Sequence, residues 1–178
     1  MRNLFASSGY AGSDLLELDS GEQLNLKELP AFLRVLLTTD GTVTKILESY
    51  FWEPVNVNRL AQCRTVLAKP SASLALPRES EVIERRVSLS GADSERLYAL
   101  ARSFVNPAVL PSSLVQELEA DRVGIGELLR ETGLETYREL ISIGRDSMHI
   151  NRVYRIMSGG KPCMEICEQF PLELYSRC

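Results

Sequence analysis

Histidine is nearly missing from this chain: His149 is the single imidazole among 178 residues. A Ser-His-Asp relay would rest on that one residue, and no G-x-S-x-G nucleophile elbow accompanies it, so acyl transfer of that kind is not expected. Phosphate-cradling glycine loops are absent too. No G-x-x-x-x-G-K-[ST] occurs, and Gly124-Ile125-Gly126 lacks the third glycine and the preceding strand of a dinucleotide fingerprint, so no nucleotide cofactor is expected. The chain has four cysteines, Cys63, Cys163, Cys167 and Cys178, without the paired short spacings of a zinc site. They are read as reduced and structural, with Cys163 and Cys167 on the outer face of a strand, and no metal is expected. Long apolar runs are missing: none approaches the roughly 20 residues that span a bilayer, and Met1 to Gly12 has no signal-peptide core. No membrane association and a cytoplasmic location follow. Basic clusters are lacking as well, and the net charge is −4, so nucleic acid has no electrostatic footprint to bind.

What is present is the balance of an ordinary globular chain, 44% hydrophobic and 25% charged, read as one domain over residues 1–178. Leu26, Leu29, Phe32, Leu33, Leu36 and Leu37 form a helical stripe from Asn25 to Thr38, with Pro30 near its start. Asp40-Gly41 breaks the chain, and Thr42 caps a second helix through Val43, Ile46, Leu47 and Tyr50. Alternation marks strands over 55–66, 81–89, 95–105 and 135–144. A helix opens at Pro111-Ser112-Ser113, and a shorter one carrying Leu128 and Leu129 stops at Gly133. Residues 151–157 and 163–170 form a hairpin through Ser158-Gly159-Gly160-Lys161. Helices first and then mostly hairpin-linked strands predict an α+β domain, a single antiparallel sheet flanked by helices.

Two charges stand on strand faces that otherwise read as core. Arg85 falls among Ile83, Val87 and Leu89, and Glu168 among Met164, Ile166 and Phe170. Side chains alternate along a strand, so both aim inward with the apolar set. An ion taken out of water costs several kcal/mol unless compensated, so the pair implies either a mutual ion pair or a polar ligand. They are read as two walls of an anion-binding pocket. Arg102 lies on the strand face assigned to Tyr98, Leu100 and Phe104.

The stretches LLTTDGTVTKILE, LPRESEVIERRVSL, ALARSFVNP, GIGELL, ISIGRDS and RVYRIMSGGKPCMEICEQFP, in that order from about Leu33 to the end, resemble the chorismate lyases (chorismate pyruvate-lyases). The resemblance implies a chorismate lyase-like fold and a cofactor-independent elimination of pyruvate from chorismate to give 4-hydroxybenzoate. It implies that Arg85 grips the carboxylate of the aromatic product and that Glu168 meets its para hydroxyl. Arg102 matches a second family arginine, assigned to the enolpyruvyl side. Val43 and Ile125 correspond to the residues that close over the ring, where the family pattern leads one to expect Met and Leu. Chorismate is then the small-molecule partner. A non-catalytic binding module related to regulator effector domains is the alternative; no helix-turn-helix domain is read ahead of this one.

Overall fold

The structure is a computed structural model and describes residues 15–18, 21–120 and 124–175. The sequence readings at Met1 to Gly12 and at Cys178 lie outside the described residues. A small hairpin, β1 (Leu15–Glu17) and β2 (Gln23–Asn25), leads through a 3-10 turn at Leu26–Glu28 to helices α1 (Ala31–Thr38) and α2 (Val43–Phe51). Three strands follow: β3 (Val55–Val66), β4 (Glu81–Gly91) and β5 (Leu97–Val105). The pattern then repeats, with α3 (Ser112–Ala120) and α4 (Ile125–Glu131) ahead of β6 (Tyr137–Arg145), β7 (His149–Ser158) and β8 (Lys161–Pro171), and a last turn of helix, α5 (Leu172–Tyr175). The main sheet is antiparallel with order β3-β4-β5-β8-β7-β6. It is two three-stranded meanders, each preceded by a helix pair, joined back to back along β5 and β8. The α+β expectation of one antiparallel sheet flanked by helices is met.

Local chemistry explains most boundaries. The helix expected over 25–38 is divided, because Pro30 has no N–H to donate and takes the N-cap position of α1 while Asn25 caps the 3-10 turn by accepting from Lys27 N–H. Thr42 is the N-cap residue of α2, but its side chain makes no capping bond. Gly159 and Gly160 both have positive φ, 55° and 75°, the requirement of a tight two-residue turn that keeps the twist of β7 and β8. No helix among the described residues is long and apolar enough to cross a membrane.

The helices cover one face of the sheet and divide that face's apolar side chains into two clusters, while Leu67, Leu74 and Val82 form a smaller third cluster with Leu76 and Phe104 on the other face. The first joins α1 and α2 to Val87 and Leu89 of β4, Ile150 of β7 and Phe170 of β8. The second joins α3 and α4 to Ile83 of β4, Tyr154 and Ile156 of β7, and Met164 and Ile166 of β8. Leu36, Leu37, Leu114 and Leu118 are fully buried in them, each stabilising the fold by about 1.5–3 kcal/mol over exposure. Cys163 belongs to the second cluster and is completely buried, not on an outer face, and burial pushes its thiol up to about 11.

Candidate active site

A row of polar side chains crosses the sheet where the two apolar clusters meet. On β4, Arg85 lies between Ile83 of one cluster and Val87 of the other; on β8, Glu168 lies between Ile166 and Phe170; on β7, Arg152 lies between Ile150 and Tyr154. Register places Glu168 directly opposite Ala101 on one side and Arg152 on the other, whereas Arg85 is opposite Ser103 and, through it, Ile166, two residues along β8 from Glu168. All three charges are buried, at 3%, 8% and 1% exposure for Arg85, Glu168 and Arg152. The inward assignment of Arg85 and Glu168 therefore holds.

Glu168 is fixed from behind. Arg152 Nε donates to its Oε2 at 2.7 Å, and the Tyr154 hydroxyl donates to its Oε1 at 3.0 Å. The Arg152 guanidinium also lies over the Tyr154 ring, 4.9 Å from its centre, and its Nη1 donates to the Thr39 carbonyl at 2.6 Å. Its Nη2 has no hydrogen-bond partner among the described residues. Burial, and then the charge of Glu168, pushes the Tyr154 phenol above its ordinary range, so it stays a donor. The buried cation that compensates Glu168 is thus Arg152, its cross-strand neighbour. Across the row, Arg85 Nη1 donates to Gln62 Oε1 at 2.8 Å.

A cavity of about 260 Å³ opens over this row, small among ligand pockets. Arg85 and Glu168 line it together with Val87, Leu89, Ala101 and Ile166, while Val43 at the start of α2 and Ile125 at the start of α4 cover it. The two covers meet closely: a Cβ placed on Gly126 would come within 3.2 Å of the Thr42 Cγ2 atom. Four of the five residues singled out from the sequence, Arg85, Glu168, Val43 and Ile125, are brought together here.

Arg102 is not. Its side chain is 54% exposed on the opposite face of β5, where Nε pairs with Glu84 at 2.9 Å and the guanidinium lies 4.6 Å from the Phe104 ring centre. The cause is a bulge: Leu89 faces Ala99 and Ser90 faces Leu97, which leaves Tyr98 as the extra residue and reverses side-chain parity there. Tyr98 is core, but Arg102 does not share its face. Glu165 lies on the outer face, where it accepts from the Ser73 hydroxyl and partial burial raises its carboxyl above the usual range.

The fold is thus one antiparallel sheet with a helix-capped cavity over buried Arg85 and Glu168. The match to the family described as "Chorismate pyruvate-lyase Rv2949c-like" spans residues 37–177, and the chain belongs to that family. It is 27% identical over 164 residues to a chorismate pyruvate-lyase of Mycobacterium tuberculosis (strain CDC 1551 / Oshkosh), covering 82% of each chain. To a chorismate pyruvate-lyase of Mycobacterium leprae (strain TN) it is 25% identical over 176 residues, covering 86% of this chain and 84% of that one. In fold it is similar to PhnF from Mycobacterium smegmatis, with a TM-score of 0.56 at 10% identity over 76% of this chain and 66% of that one. The effector domain of PhnF by itself gives a TM-score of 0.51 at 11% identity, covering 75% of this chain and 90% of the domain. The chorismate lyase-like α+β fold and the membership expected from the sequence both stand.

Proposed function

We propose that this protein is a chorismate pyruvate-lyase whose reaction takes place in the cavity over Arg85 and Glu168 and yields 4-hydroxybenzoate. The observation that carries the reading is that a buried guanidinium and a rigidly held carboxylate line one small cavity, with Val87, Leu89, Ala101 and Ile166 between and around them. A planar guanidinium grips a carboxylate through two parallel hydrogen bonds, so Arg85 takes the ring carboxylate. Glu168 then faces the opposite end of the ring and accepts from its 4-hydroxyl. Val43 and Ile125 press on the ring from the covering helices.

In this reading the bond between ring carbon 3 and the ether oxygen breaks, the hydrogen on carbon 4 leaves as a proton, and its electron pair completes the aromatic ring. The departing enolpyruvate takes up a proton on its methylene carbon and becomes pyruvate. Electrons are conserved between the two products, so no redox cofactor takes part. Aromatisation drives the reaction, and the protein contributes orientation and a fixed field. Arg152 and Tyr154 supply that rigidity by leaving Glu168 no other orientation.

Mixing the protein with chorismate and following both products by chromatography tests the proposal. Equal amounts of pyruvate and 4-hydroxybenzoate are expected, and Arg85→Ala and Glu168→Ala should each lower kcat/KM by about 100-fold or more. Chorismate bound but left intact would instead support the non-catalytic binding reading. Near-normal turnover in both variants would remove the assignment of these residues.

A further inference from the structure

Chorismate carries a second carboxylate on its enolpyruvyl arm, which 4-hydroxybenzoate lacks. With Arg102 on the far side of the sheet, another cation must meet that group. The charged side chains that line the cavity among the described residues include Lys45, Arg85, Arg130 and Arg138. Lys45 is 65% exposed and engaged by Glu48 at 2.9 Å, and Arg130 is 66% exposed with Glu127 at 3.5 Å. Arg85 is already assigned to the ring carboxylate.

Arg138 differs from these. It is half-buried, it makes no ion pair among the described residues, and its Nη1 donates to a backbone carbonyl, that of Asp40, at 2.8 Å. That carbonyl belongs to the α1–α2 connection, whose Gly41 and Thr42 line the cavity mouth. Register places Arg138 beside Ile156 of β7, and Ile156 beside Met164 of β8, so Arg138 stands on β6, two strands from β8 on the side away from Arg85. Arg85, level with Ile166 of β8, and Arg138, level with Met164, stand two strands to either side of β8, and both line the one cavity. A ligand bridging them needs an anionic group at each end.

We infer that Arg138 binds the enolpyruvyl carboxylate of the substrate and so distinguishes the dianionic substrate from the monoanionic product. This rests on the lyase reading of the same cavity. The site would hold chorismate by two guanidinium contacts and 4-hydroxybenzoate by one, which favours product release once the ether bond has broken.

The test compares Arg138→Gln and Arg138→Lys with the wild-type protein. Glutamine keeps an N–H for the Asp40 carbonyl but removes the charge; lysine keeps the charge. For Arg138→Gln, kcat/KM for chorismate should fall on the order of 10- to 100-fold, chiefly through KM, while the dissociation constant for 4-hydroxybenzoate changes less than about threefold. Arg138→Lys should recover part of the loss. Equal weakening of both ligands, or unchanged use of chorismate, would overturn the inference. If wild-type protein released no pyruvate, the lyase reading would fall, and direct binding of chorismate and of 4-hydroxybenzoate to the same variants would still decide the role of Arg138: selective loss of chorismate supports it, and parallel behaviour overturns it.

Discussion

The two meanders share one plan, two helices followed by three strands, yet they carry charge differently. The inward face of β3, β4 and β5 brings one buried ion to the row, Arg85, on a stretch that is otherwise apolar or small. The inward face of β6, β7 and β8 brings Glu168, held by Arg152 and Tyr154, and Arg138; Arg152 and Arg138 both donate to carbonyls of the α1–α2 connection. The first half therefore presents an anchor, and the second half a braced acid. A rigid carboxylate needs a scaffold of its own, and in this molecule that scaffold is almost entirely one strand, β7.

Breaking the brace should have the largest consequence. Arg152→Met leaves a buried carboxylate without its cation, and unfolding by denaturant should show a loss of about 3–5 kcal/mol. Replacing the whole network by Arg152→Met, Tyr154→Phe and Glu168→Leu should regain most of that stability, and under the lyase reading it should abolish pyruvate release. Removing the anchor acts on binding: Arg85→Met should weaken 4-hydroxybenzoate by about 10- to 100-fold in titration calorimetry. Tyr154→Phe withdraws one of the two hydrogen bonds at Glu168 and should cost about 1–1.5 kcal/mol in the same denaturant assay.

The contrast extends to pH. In the first half, Glu53 is drawn down to about 2 by the Tyr98 hydroxyl first and then by Ser94, below its ordinary 4.5. A carboxyl depressed on folding contributes stability that is complete above 4.5 and lost as the pH falls towards 2. Denaturant midpoints across that window should decline less steeply in Glu53→Gln than in the wild-type protein. The smallest effect belongs to Arg102→Ala, expected to stay within about 0.5 kcal/mol in stability because its ion-paired side chain is 54% exposed. Its turnover of chorismate should be unchanged; a large loss there would return Arg102 to the site and weaken the case for Arg138.

Strand alternation made Arg85 and Glu168 visible because each interrupts a row of apolar neighbours at period two. Arg152 carries the same mark, between Ile150 and Tyr154, and the same reasoning applied to that strand would have found it. Arg102 shares the face of Leu100 and Phe104, as alternation predicts, but not that of Tyr98. Periodicity is local, and the single extra residue at Tyr98 inverts it, so a buried tyrosine at the start of β5 says nothing about the face of an arginine beyond the bulge. Arg138 left no clear signal, since it sits on an edge strand whose alternation is itself disturbed between Leu140 and Ser142. The fold class was legible because hairpin turns such as Gly159-Gly160 declare themselves, whereas the division of the core into two clusters depends on contacts between distant segments.

That division has an evolutionary consequence. Each apolar cluster is closed by its own helix pair, so the strip between them can be rewritten as a unit without disturbing the packing on either side. A lineage could exchange acid and bases there for other side chains, or for hydrocarbon, and inherit the same architecture with different chemistry or none. Piecemeal change is penalised, because every intermediate strands a charge in the interior.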